Sequence, residues 1–176
     1  MKRASAIAIA TMLLIAVASA QPPAAKPGPE HKKLDYFTGN WTSEGDVKPG
    51  PMGPGGKVTV SEDSKWMDGG YFVVMHSTFK GGAMGDGTGV SYMGYDPQEK
   101  VYTYDEFNSM GEVVHAKGTL EGDTWTWTNE MKMGPQTFKG RYITKIVSPT
   151  SYTYKFEVSP DGTNWSLVMD GKQTKK

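Results

Sequence analysis

From Gly39 to the C-terminus the sequence predicts an all-β fold: one antiparallel up-and-down barrel of about eight to ten strands, with a short N-terminal capping helix. Three observations carry this reading. Large apolar residues recur at every second position, most plainly in Trp125-Thr126-Trp127-Thr128 and Tyr152-Thr153-Tyr154-Lys155-Phe156. That period sends one face to a core and the other to water. Turn chemistry punctuates the run at short intervals, as in Asp68-Gly69-Gly70, Asp96-Pro97, Glu121-Gly122-Asp123, Gly134-Pro135 and Pro160-Asp161-Gly162. No helical segment interrupts the strands, and short connections make consecutive strands antiparallel neighbours.

The elements follow in order. Residues 1–20 read as a secretory signal. Lys2 and Arg3 form its basic start, Ala6 to Val17 its apolar stretch, and Ala18-Ser19-Ala20 its small-x-small cleavage site. The apolar stretch is too short and too Ala-rich for a good membrane span. Residues 21–28 are rich in Pro and Ala and are expected to be a disordered leader. Residues 29–176 form the barrel domain. Pro29 suits the first position of a helix, where its missing N–H costs nothing. His31, Leu34 and Phe37 fall on one face, and Gly39 can end the helix in a left-handed conformation. Such a helix can plug one end of a barrel, with Trp41 buried at the junction.

Strands are expected at residues 40–47, 57–67, 70–80, 88–95, 100–108, 112–120, 124–133, 136–147, 151–158 and 164–171. Between the first two, Pro49, Pro51 and Pro54 remove ladder donors and impose a long loop. The Gly-rich stretch at residues 81–89 superficially resembles a phosphate cradle. A strand follows it rather than a helix, and Asp86 would repel an anion, so it reads as a hairpin loop.

Cleavage after Ala20 leaves about 156 residues, enough for one domain with one core. It also leaves 17 Lys and Arg against 19 Asp and Glu, a net charge near −2. That balance lacks the basic footprint of nucleic-acid binding or of a membrane-surface patch, and the mature chain has no segment to insert. The chain has no cysteine, hence no disulfide and no lipid attachment site. With the signal, this points to a soluble bacterial protein, periplasmic or secreted. No pattern in the sequence bears on oligomeric state.

The alternation assigns a lumen face. Tyr71, Val73, Met75 and Phe79 point inward, as do Trp41, Val58, Val60, Tyr152, Phe156, Trp165, Leu167 and Met169. Polar residues on the same face are Ser77, Glu106, Asn129 and Thr144. Residues 57–67 and 88–95 show mixed faces. If the lumen is hollow, Tyr102, Tyr104, Trp125, Trp127, Tyr142 and Tyr154 line it, and Glu106 and Asn129 orient polar groups of a small, largely apolar ligand. A filled barrel with a structural or protein-interaction role is the alternative.

Catalytic and metal chemistry find little footing. There is no Cys nucleophile and no G-x-S-x-G elbow, and only Glu106 and the inward tyrosines could do acid–base work. No Cys/His spacing suits zinc. Met131 and Met133 are soft donors on one face, but methionine is also ordinary core filling. No catalytic residue, metal ligand or cofactor is assigned.

The entry His31-Lys32-Lys33-Leu34-Asp35-Tyr36-Phe37-Thr38-Gly39-Asn40-Trp41 resembles the start of a bacterial family, domain-of-unknown-function family fifteen seventy-nine. Gly89-Val90-Ser91-Tyr92-Met93-Gly94-Tyr95-Asp96-Pro97, followed by Lys100-Val101-Tyr102, resembles its central hairpin. Gly39-x-Trp41 is also similar to the entry of lipocalins and other calycins. The resemblance implies a calycin-like barrel and transfers no catalytic residue. Fatty-acid-binding relatives hold a carboxylate with Arg-x-Tyr on one face. Here Arg141 and Tyr142 are adjacent and point to opposite faces. Haem-binding relatives use an axial His, whereas His76 and His115 are expected to face outward.

Overall fold

The computed structural model describes residues 26–50, 53–82 and 85–176. The expected signal at residues 1–20, and the leader up to residue 25, lie outside the described residues. The chain enters through a short helix α1 (Pro29–Lys33), with Pro29 in its first turn, and a 3-10 turn (Leu34–Phe37). Gly39 follows at φ 103°, a left-handed conformation that only glycine adopts without strain.

Ten strands then run in sequence: β1 (Gly39–Val47), β2 (Gly56–Trp66), β3 (Val73–Gly81), β4 (Gly87–Asp96), β5 (Val101–Asn108), β6 (Val113–Glu121), β7 (Thr124–Met133), β8 (Gln136–Ser148), β9 (Ser151–Ser159) and β10 (Ser166–Lys175). Each pairs antiparallel with its sequence neighbour, and β1 pairs with β10, so the sheet is a closed barrel with no free edge. Among the described residues no helix is long and apolar enough to cross a membrane.

The hairpins after β2, β4, β6 and β8 lie at the helix end, and those after β1, β3, β5, β7 and β9 at the other. At the helix end the packing is dense. Leu34 and Val73 are wholly buried and Trp41 is 2% exposed. The Trp41 Nε1–H donates to the Phe37 carbonyl at 3.0 Å, which ties the first strand to the cap. Phe37 packs edge-on against Trp125 at 5.2 Å, and Tyr102 against Trp125 at 4.6 Å. The Tyr102 hydroxyl donates to Glu30 at 2.6 Å, and the Trp66 Nε1–H to Asp35 at 2.9 Å, so the helix is latched from several strands. His31, Leu34 and Phe37 are all buried, as their spacing requires.

Two inward assignments are overturned. Leu167 is 39% exposed, because an irregularity between Leu167 and Met169 shifts the register and reverses its facing. Trp165 precedes β10, and its ring lies under the guanidinium of Arg141 at 4.0 Å. Arg141 is also paired with Glu157 at 2.5 Å. β3 starts at Val73 rather than at Gly70, so Tyr71 lies before the strand and packs against His31 at 5.3 Å. His76 and His115 are exposed, as expected, and His115 bonds Asp105 at 2.5 Å.

Candidate functional site in the barrel lumen

The ladders define the inner face strand by strand. Trp41 pairs with Glu62, Glu62 with Ser77, Ser91 with Glu106, Trp127 with Tyr142, and Thr144 with Tyr154. Because facing alternates along a strand, each pair shares one side of the sheet. At the end away from the helix, the inward residues are mostly apolar: Val58, Val60, Phe79, Met131, Phe138, Phe156 and Met169. The middle of the barrel is different, being polar and aromatic together.

Two hydrogen-bonded groups meet there. On one wall the Gln173 amide donates to the Glu62 carboxyl, and the Ser43 and Tyr154 hydroxyls bond at 2.7 Å. On the other wall the Tyr104 hydroxyl donates to Glu106, and Ser91 pairs with Glu106 across the ladder. Tyr104 and Trp127 lie 5.8 Å apart, Trp125 and Trp127 stack at 5.8 Å, and Tyr142 and Tyr154 stack at 5.4 Å. Glycines make room for these rings. An ideal Cβ on Gly118 would sit 2.5 Å from the Trp127 indole, and a Cβ on Gly45 or Gly171 would overlap the Tyr154 hydroxyl.

Burial sets the electrostatics. It pushes the Glu62 carboxyl up to about 7; the Gln173 hydrogen bond opposes this and repulsion from Glu106 adds to it. Burial also holds the Tyr104, Tyr142 and Tyr152 phenols well above their ordinary range, so they act as neutral hydrogen-bonding groups. Glu62, Tyr104 and Tyr142 face inward yet are only partly buried. Inward groups keep accessible surface where space lies beside them, enclosed or open to the uncapped end.

The eight residues expected to line a ligand fall in two layers. Tyr102, 4% exposed, and Trp125, 1% exposed, lie against the cap. Tyr104, Glu106, Trp127, Asn129, Tyr142 and Tyr154 face the middle of the lumen. Asn129 reaches over Gly140 on the neighbouring strand. Glu62, Gln173, Ser43 and Ser91 escaped sequence reasoning. The signal for Glu62 was present, because Val58, Val60 and Trp66 share its parity in β2. Gln173 likewise has the parity of Met169 and Gly171, in a strand that runs past Gly171 to Lys175.

Two open grooves, about 540 and 680 Å³, lie at the wall of β1, β2, β9 and β10 rather than in this region. The larger is lined by Asp46, Lys48, Lys57 and Asp170, whose charges are already matched in ion pairs. Among the described residues no group of three or more His, Cys, Asp or Glu side chains is placed to hold a metal ion.

Comparison with known proteins bears on the fold. Rv2717c from M. tuberculosis superimposes with a TM-score of 0.57 at 10% identity, over 85% of this chain and 98% of that one. The structure described as EF1p2_mFAP2b bound to DFHBI gives 0.45 at 9% identity, over 83% and 98%. No curated protein matches the sequence. The first likeness, with the closed ten-strand meander, makes this a calycin-like barrel. Residues 26–175 match the model of a family described as protein of unknown function, DUF1579, and with nearly the whole described region covered, the chain belongs to that family.

Proposed function

We propose that the protein is an exported binding module that holds a small, largely apolar molecule in its lumen. One observation carries this reading: Glu62, Tyr104 and Tyr142 face inward but retain accessible surface. Space beside polar side chains, walled by aromatic rings, is the composition of a small-molecule site. Tyr104, Trp127, Tyr142 and Tyr154 supply ring faces, while Glu106 and Asn129 orient polar groups of the ligand. The apolar residues toward the uncapped end suit the remainder of such a molecule. The Trp125 layer under the helix is packed, so the ligand would occupy the middle and uncapped half.

Addition of a neutral hydrophobic dye such as Nile red is expected to quench and shift the tryptophan emission. Trp127→Ala is expected to weaken that response while the protein stays folded by circular dichroism. If the emission is already strongly blue-shifted and does not change with dye, the lumen is packed and the barrel has a structural role.

Export rests on residues 1–20 alone: Lys2 and Arg3, the apolar stretch, and Ala18-Ser19-Ala20. N-terminal sequencing of protein from the periplasm or medium is expected to begin at Gln21. Recovery of full-length chain in the membrane fraction would contradict export.

A further inference from the structure

The ionisable side chains at the centre of the lumen are one-sided. Glu62 on β2 and Glu106 on β5 are carboxyls near enough for Glu106 to raise Glu62 by repulsion. Among the described residues their side-chain partners are neutral donors, the Gln173 amide and the Tyr104 hydroxyl. The inward lysine of β10, Lys175, belongs to the capped end. Its Nζ lies 5.2 Å above the Trp41 ring and 3.4 Å from the Tyr36 carbonyl. Carboxyls taken out of water are ordinarily matched by a cation or else resist ionisation. Here two inward carboxyls face one interior, and among the described residues no cation pairs with either.

The surroundings favour the same sign of charge. The stacked Tyr142 and Tyr154 rings, and Tyr104 with Trp127, are electron-rich surfaces that attract a positive group. A separate observation comes from Ser64, which follows Glu62 on the inward face of β2. Its Oγ is buried, with the residue 1% exposed, and has no hydrogen-bond partner among the described residues. A buried hydroxyl without a partner can accept from an ammonium N–H, though it can equally donate.

We propose that the lumen binds an organic cation, an amine carried on an apolar body, with its ammonium group held by Glu62 and Glu106. This rests on the lumen-binding reading above and names the ligand's chemical class. The ammonium N–H groups would donate to the two carboxyls and face the tyrosine rings. The apolar body would extend toward Phe79, Phe138 and Phe156 at the uncapped end.

Three probes of one size separate the alternatives: 2-phenylethylamine, 2-phenylethanol and phenylacetate, which are cationic, neutral and anionic. Each is titrated into the full chain at about pH 8, where Glu62 is ionised, and followed by calorimetry and tryptophan emission. The amine is expected to bind about tenfold or more tightly than the alcohol, and phenylacetate weakest of all. Glu62→Gln and Glu106→Gln, each checked for folding by circular dichroism, are expected to remove the amine's advantage and bring its affinity close to that of the alcohol in the same variant. Equal affinities for amine and alcohol in the wild type, or tighter binding of phenylacetate, would overturn the cation assignment and leave lumen binding standing. If none of the three binds the wild type, lumen binding fails, and this inference with it.

Discussion

Trp41→Ala is expected to destabilise the protein by about 3–5 kcal/mol, the usual loss for a buried tryptophan. Trp41 is 2% exposed and lies where the helix meets the barrel wall. Its ring contacts Tyr36 at 5.6 Å and Tyr152 at 5.2 Å, so removal opens a void between three elements. Its Nε1–H also satisfies the Phe37 carbonyl at the end of the 3-10 turn. Alanine loses the packing and leaves that carbonyl unpaired. The barrel wall cannot collapse into the gap without breaking ladders on both sides of β1. Urea denaturation of both proteins measures the difference. A loss under about 1 kcal/mol, the range of ordinary surface sites, would mean that the cap does not depend on this residue.

Glu62→Gln is expected to stabilise the protein in a pH-dependent way. Burial lifts the Glu62 carboxyl from 4.5 to about 7 in the folded state. An acid whose folded value exceeds its unfolded value costs nothing while both states are protonated. As pH rises from about 4.5, the unfolded chain ionises first and stability falls, until the folded state ionises near 7. Above that the cost is constant, at about 3 kcal/mol given ~1.4 kcal/mol per unit. Glutamine keeps the size of the side chain and removes the titration. The variant should therefore gain about 3 kcal/mol over wild type between about pH 4 and pH 8, as read by urea denaturation at each. The groups that face Glu62 are Gln173 from β10, Glu106 and Tyr104 from β5, Tyr142 from β8, and Tyr152 and Tyr154 from β9. Only Glu106 among them is another carboxyl, so the substitution isolates one ionisation. A difference that does not vary with pH would mean that Glu62 is hydrated as in bulk water.

The sequence was most legible where side-chain size alternates strongly. Trp125, Trp127, Tyr152 and Tyr154 declared their facing because each stands between small or polar neighbours. The helix was legible for a similar reason: Pro29 opens it, Gly39 ends it, and His31, Leu34 and Phe37 mark the face it buries. Legibility failed where the inward face is itself polar. In β2 the inward Glu62 and Ser64 look no different in type from the outward Asp63 and Lys65. In β4 the inward Ser91 stands between the apolar Val90 and Tyr92, which reverses the usual contrast. Hydropathy then points the wrong way, and only parity with neighbouring anchors recovers the facing. At β10 parity itself misleads, because the irregularity beside Leu167 changes it partway along the strand.

The chain's local chemistry determined the run of strands, their antiparallel order and the position of the cap, since periodicity and turn residues act between near neighbours. Closure was expected as well, but its register is another matter. It pairs Trp41 with Lys175 and Ser43 with Gln173, across nearly the whole described chain. Only that closure brings Gln173 to Glu62, sets Ser43 against Tyr154, and places Glu106 within reach of the same interior. The charge state of Glu62 follows from the same event, because a carboxyl titrates according to the water and charges around it, and here both are set by strands distant in sequence.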